Sequence, residues 1–157
     1  MELEVRKITE DAKLPEQAHK GDMFDVFAND DVEVNSYESV VIPLGIAINI
    51  PVGYRIKVFS RSSLPLKKKI IVSNSVGIID TGYIEEIGLV CHTLPILYDN
   101  NTPQILFNNK VLIKKGDKIA QIQLEKIEEI VIKEVKKIDA KTSALARKGG
   151  FGSTDKK

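Results

Sequence analysis

Tyr54-Arg55-Ile56-Lys57-Val58-Phe59-Ser60-Arg61-Ser62-Ser63 decides how the rest of the chain is read. Over its first six residues Tyr54, Ile56 and Val58 alternate with Arg55 and Lys57, the period-two signature of a half-buried strand. The polar run that follows places the planar fork of Arg61 beside the hydroxyls and N–H groups of Ser62 and Ser63 where the strand turns over. That set suits phosphate oxygens, although an isolated Arg-Ser-Ser is more often an ordinary polar turn. Outward from this stretch, apolar residues recur at period two or in short runs over 3–8, 40–50, 70–72, 87–91, 110–113, 119–124 and 130–135. Turn residues separate them, as in Pro51-Val52-Gly53, Asp99-Asn100-Asn101 and Lys115-Gly116-Asp117. Many short β-branched runs punctuated in this way predict an all-β sandwich or barrel. The one plausible helical turn is 62–67, limited by Pro65. Residues 127–137 fit a charged amphipathic helix, but Ile130, Ile132 and Val135 favour a strand.

At 157 residues the chain is the size of one domain. Lys and Arg number 23 against 22 Asp and Glu, so the overall field gives no reason to expect a nucleic-acid or membrane-surface protein, and any basic site is local. The single cysteine, Cys91, excludes an internal disulfide framework and reads as a packed small side chain in a reducing compartment. No secretory signal or membrane-length apolar run is visible, and a cytoplasmic protein is expected. The packed domain is expected over 1–138. Residues 139–157 then form a tether and a glycine-rich arm.

Four further segments carry chemistry. Ser73-Asn74-Ser75-Val76-Gly77-Ile78-Ile79-Asp80-Thr81-Gly82-Tyr83 places a carboxylate at a strand end with a tyrosine three positions on. Folded as a hairpin, it offers backbone N–H and C=O groups to a base edge while Tyr83 packs against a sugar. An ionised Asp80 at the mouth can accept a proton from an attacking water, or be no more than a turn residue. Gln121, in Gly116-Asp117-Lys118-Ile119-Ala120-Gln121-Ile122, brings an inward amide that needs a partner, such as a phosphate oxygen. Asp25 is a lone acid in an apolar setting, expected to pair with an Arg such as Arg61. Gly149-Gly150-Phe151-Gly152-Ser153-Thr154 combines close backbone approach, a flat ring and hydroxyl donors, with Arg147 and Lys148 beside it. His19 and His92 stand apart, and no His, Cys, Asp or Glu cluster has metal-cage spacing; a metal would arrive with a substrate, as Mg²⁺ does on phosphates.

Taken in order, these segments resemble the five motifs of the trimeric dUTP pyrophosphatase (dUTPase) family. The resemblance runs from about Lys13 to Thr154. It implies a jelly-roll-like β sandwich, a homotrimer with arms donated between subunits, and Mg²⁺-assisted hydrolysis of dUTP to dUMP and pyrophosphate, which limits uracil in DNA and supplies dUMP. Carried over by position, Asp80 activates the water that attacks the α-phosphorus, and Tyr83 excludes a 2′-hydroxyl. Asn74, Gly77, Ile78, Ile79 and Gly88 line the uracil slot. Arg61, Ser62, Ser63 and Gln121 hold phosphates, Phe151 closes over uracil, and Gly152, Ser153 and Thr154 cover the triphosphate. The chain departs from the pattern at Ala146, where an arm Arg is usual, leaving Arg147 or Lys148 to reach the γ-phosphate. It departs again at Ile84-Glu85, which replaces Arg-Gly, at Met23, which replaces a small residue, and in a longer 92–109 connection. That connection is expected to be a surface hairpin or a partner-binding loop. Two other readings of the same fold are a nucleotide-responsive regulatory protein and a dCTP deaminase.

Overall fold

A computed structural model describes residues 1–36, 38–94 and 110–138, and the backbone course of 96–98 and 104–106. Among the described residues thirteen strands follow in order: β1 (Glu4–Lys7), β2 (Phe24–Phe27), β3 (Val32–Asn35), β4 (Val40–Pro43), β5 (Ile46–Asn49), β6 (Tyr54–Ser60), β7 (Ile70–Val72), β8 (Gly77–Ile79), β9 (Gly88–Thr93), β10 (Ile96–Tyr98), β11 (Gln104–Leu106), β12 (Lys110–Ile113) and β13 (Lys118–Lys126). The only helical element among the described residues is one π-type turn, Leu64–Lys68, with a proline in its first turn. Lys69 closes it in a left-handed conformation, φ 56°, and donates its N–H back to the Leu64 carbonyl.

The fold is all-β, as the alternation predicts, and of the jelly-roll-like sandwich form that the resemblance implies. The largest sheet has the order β2-β13-β6-β8, and a second runs β4-β9-β7. Pairs β1-β5, β12-β3 and β10-β11 complete it, every pairing antiparallel. Alternation on β6 holds: Ile56 and Val58 are buried, whereas Arg55 and Lys57 sit outside and share the Glu125 carboxylate of β13, each at 2.6 Å. The core between the sheets is rich in isoleucine, with Ile42, Ile46, Ile48, Ile56, Ile70, Ile113 and Ile119 almost fully enclosed. Stiff β-branched side chains favour the extended backbone and fill this interior in few rotamers. Cys91 lies among them fully buried, and burial pushes its thiol up to about 12.

One expectation fails. Residues 127–138 form no strand: after the Ile127 N–H reaches the Gly53 carbonyl at 2.9 Å, the backbone leaves the sheet. Ile130, Val131 and Ile132 stand 79%, 95% and 92% exposed. β-branched residues favour a strand only where an edge is offered to pair with, and past Lys126 the chain has run beyond both β6 and β2. In the 92–109 connection, β10 and β11 pair in register from Ile96–Leu106 to Tyr98–Gln104.

Candidate active site

β8 is the outer strand of its sheet. Gly77, Ile78 and Ile79 pair with Val58, Lys57 and Ile56 on one side, and their other edge opens into a cleft of about 490 Å³. Across the cleft lies the first part of β9, where β7 pairs only with Cys91, His92 and Thr93 and so leaves Gly88 and Leu89 uncovered on that side. Two strand edges with backbone donors and acceptors thus face one another. The turn leading into β8 is tight: Ser75 has a left-handed φ of 62°, and the Val76 N–H donates to the Asn74 carbonyl at 2.7 Å. A non-glycine residue there stores modest backbone strain of the kind found at functional sites. A Cβ on Gly88 would come within 2.4 Å of the Val41 side chain, which would have to shift to admit it.

Asp80 follows β8 at the mouth of the cleft and is exposed. The chain bends back at once, with the Tyr83 N–H donating to the Asp80 carbonyl at 3.2 Å and Gly82 at φ 88°. Thr81 Oγ1 donates to the Tyr54 carbonyl at 2.7 Å, which fixes the residue next to the carboxylate to the start of β6. Asn74, Gly77, Ile78, Ile79, Asp80, Tyr83 and Gly88, dispersed over 15 positions of sequence, therefore border one cleft.

Arg61 and Ser63 border a different cleft, of about 330 Å³, with Lys67, Lys68, Gly116 and Lys118; Ser62 is exposed on the same turn. Its organiser is Asp25, 4% exposed. The Arg61 Nε lies 3.1 Å from one carboxylate oxygen, and Gln121 Nε2 donates to the same oxygen at 3.1 Å. Lys118 Nζ donates to the other at 3.0 Å. The pairing of Asp25 with Arg61 is as expected. The Gln121 amide differs from expectation, because one of its hydrogens is already committed to this carboxylate. Burial works against the Asp25 charge, but hydrogen bonds from Lys118 and Gln121 and the charge of Arg61 outweigh it, so its carboxyl sits below the ordinary aspartate range. The cluster holds its cations in fixed positions, facing a pocket that has no further acid besides Asp117, itself bound to Lys68 at 2.5 Å.

The two clefts share no lining residue. Ile79 pairs with Ile56, so Asp80 lies near Arg55, whereas Arg61 follows the far end of β6. Six residues of extended chain separate these levels by roughly 20 Å at about 3.3 Å per residue.

Lys118 was not among the residues singled out from sequence, because strict alternation puts positions 118 and 121 on opposite faces. A β-bulge between Lys118 and Ala120 shifts the phase and turns both toward Asp25. Glu86 was also missed; its carboxylate accepts the Gly45 N–H at 2.8 Å. Among the described residues no group of three His, Cys, Asp or Glu stands close enough to hold a metal. Arg147, Phe151, Gly152, Ser153 and Thr154 lie outside the described residues.

The dUTPase family model matches residues 10–155. The deoxyuridine 5'-triphosphate nucleotidohydrolase of Clostridium kluyveri is 38% identical over 155 residues, covering 98% of each chain. That of Hydrogenobaculum sp. is 36% identical over 159 residues and covers 100% of both. Among solved structures, a dUTPase from phage phi11 of S. aureus, described with a coordinated structural Mg(II) ion, gives a TM-score of 0.73 at 28% identity over 87% of this chain and 98% of its own. The Staphylococcus bacteriophage 80alpha dUTPase with dUPNHPP gives 0.77 at 25% identity, with 97% of each chain covered. A match that spans both clefts and nearly the whole length, at this level of identity, makes the chain a member of the dUTPase family.

Proposed function

We propose that this protein hydrolyses dUTP to dUMP and pyrophosphate. The observation that carries the reading is the cleft between the open edges of β8 and β9, with Asp80 at its mouth and Tyr83 beside it. A uracil edge presents one N–H between two carbonyls, and fixed backbone groups of Gly77, Ile78, Ile79 and Gly88 can satisfy that pattern. Cytosine, with an amine in place of a carbonyl, leaves buried groups unpaired, and a thymine methyl has no room between two strand edges. Asp80 takes a proton from water as its oxygen bonds to the α-phosphorus. The bond from that phosphorus to the bridging oxygen breaks, and the electron pair leaves with pyrophosphate.

Mg²⁺ would be held by phosphate oxygens and water. Bound there, Mg²⁺ would supply charge neutralisation on the leaving pyrophosphate. Arg61, Ser62, Ser63 and the second amide hydrogen of Gln121 act on the same oxygens, with Lys118 adding charge. At roughly 20 Å from the level of Asp80, the Arg61 cleft of one chain is too distant to serve its own Asp80, so the site is shared between subunits of a homotrimer. Arg147, Phe151, Gly152, Ser153 and Thr154 complete it as a covering arm.

Pyrophosphate release measured across dUTP, dCTP, dTTP and UTP tests this, with ammonia release from dCTP followed in parallel. Turnover confined to dUTP is expected, and Asp80→Asn should lower kcat by about 10²–10⁴-fold while leaving KM within a few-fold. Full activity in Asp80→Asn would remove its role, and ammonia from dCTP would replace the hydrolase by a deaminase.

A further inference from the structure

The return segment between β8 and β9, residues 80–87, is fastened by contacts with β1 and with the connection from β4 to β5. Arg6 Nη2 donates to the Ile84 carbonyl at 3.2 Å, and Ile87 bridges Leu44 and Ile46 through backbone bonds of 3.0 and 2.9 Å. Glu86 differs in kind, because its two ends serve two neighbours. Its carboxylate accepts the Gly45 N–H at 2.8 Å, and its backbone carbonyl accepts the Tyr83 hydroxyl at 2.9 Å. Gly45 cannot yield. It sits at φ 67°, and the place a Cβ would take is filled by Asn29 at 2.5 Å and Ala12 at 2.8 Å. Asn29 is itself buried and accepts from Thr9 at 3.0 Å. A donor immobilised in this way fixes its acceptor, and the acceptor's own carbonyl holds the far end of the Tyr83 ring.

We propose that Glu86 is a positioning residue for sugar selection: locked on Gly45, it sets where the Tyr83 ring stands and thereby how strictly a 2′-hydroxyl is excluded. The inference rests on the dUTP reading above. Glu86 borders neither cleft, so its effect passes through Tyr83. Steric exclusion of one hydroxyl depends on small displacements, since an apolar wall that relaxes slightly ceases to discriminate.

Initial rates of pyrophosphate release from dUTP and UTP, taken for the natural protein, Glu86→Ala, Glu86→Gln, Tyr83→Phe and the Glu86→Ala/Tyr83→Phe pair, test this. Glu86→Ala is expected to raise the UTP-to-dUTP ratio of kcat/KM about tenfold, and Tyr83→Phe to raise it similarly. Glu86→Gln keeps an acceptor for Gly45 and should stay within about threefold of the natural ratio. The pair should be no less selective than either single change, because the loss of the Gly45–Glu86 bond acts by way of the Tyr83–Glu86 bond that Tyr83→Phe removes. An unmoved ratio in Glu86→Ala, or additive losses in the pair, overturns the proposal. If Glu86→Ala shows no cooperative thermal transition, Tyr83→Phe decides, and an unmoved ratio there overturns it. Failure of the natural protein to turn over dUTP removes the underlying reading and this inference with it, whereas dUTP turnover with an unmoved ratio removes this inference alone.

Discussion

Asp25 shows how much one residue can determine. Three donors from one strand and a turn converge on a carboxylate that is almost entirely enclosed. Replacing it with alanine removes the counter-charge of Arg61 and leaves Lys118 only Glu16 at 3.9 Å, and a loss of about 2–3 kcal/mol in denaturant-derived stability is expected. The pH dependence has a definite sign. Because the folded state lowers the Asp25 carboxyl below its ordinary value, the stabilisation is present above the unfolded-state value near ~3.9 and is lost as the pH falls through the folded one. Acid unfolding followed by circular dichroism should be less steep below about pH 5 in Asp25→Asn than in the natural protein. The pairing with Arg61 was legible in the sequence, since an acid among apolar neighbours needs a cation. The part played by Lys118 was not, because a bulge is a property of two paired strands and leaves no mark on one.

Strands were the most legible elements, and their partners the least. Alternation in 54–59 predicts β6, and the segment 73–83 predicts the turn that opens the cleft, both from local pattern alone. The same pattern over 127–137 misleads, because Ile130 and Ile132 have the composition of a strand without an edge to join. The 62–67 turn was correctly placed, although its Lys69 closure needed the structure. Connections between elements carry the tightest demands. Gly45 joins β4 to β5 with a left-handed backbone and no space for a side chain, so Gly45→Ala is expected to cost roughly 2–4 kcal/mol and lower the urea midpoint accordingly. That loss should exceed the cost of Gly53→Ala, where φ is also positive at 81° but nothing lies within 4 Å.

For the whole molecule, the separation of the two clefts makes a quantitative demand. If each site takes its Asp80 cleft from one subunit and its 139–157 arm from another, neither Asp80→Asn nor a chain ending at Ile138 has an intact site of its own. Refolded together in equal amounts, the two inactive proteins should recover about a quarter of natural turnover, the chance that an intact cleft meets an intact arm. No recovery would place cleft and arm in the same subunit. The trimer itself should be visible in sedimentation as a single species of three chains.

Cys91 adds a practical consequence. A sole thiol, fully enclosed and pushed up to about 12, is neither exposed nor ionised while the fold is closed. Its alkylation by a small iodoacetamide therefore waits on exposure of the core, and the native reaction should be slower than in urea by about 10³-fold or more. Repeating that measurement with a dUTP analogue present would show whether occupancy of the cleft slows the release of the isoleucine interior. The chain thus carries a chemical clock for its own breathing, with no label added.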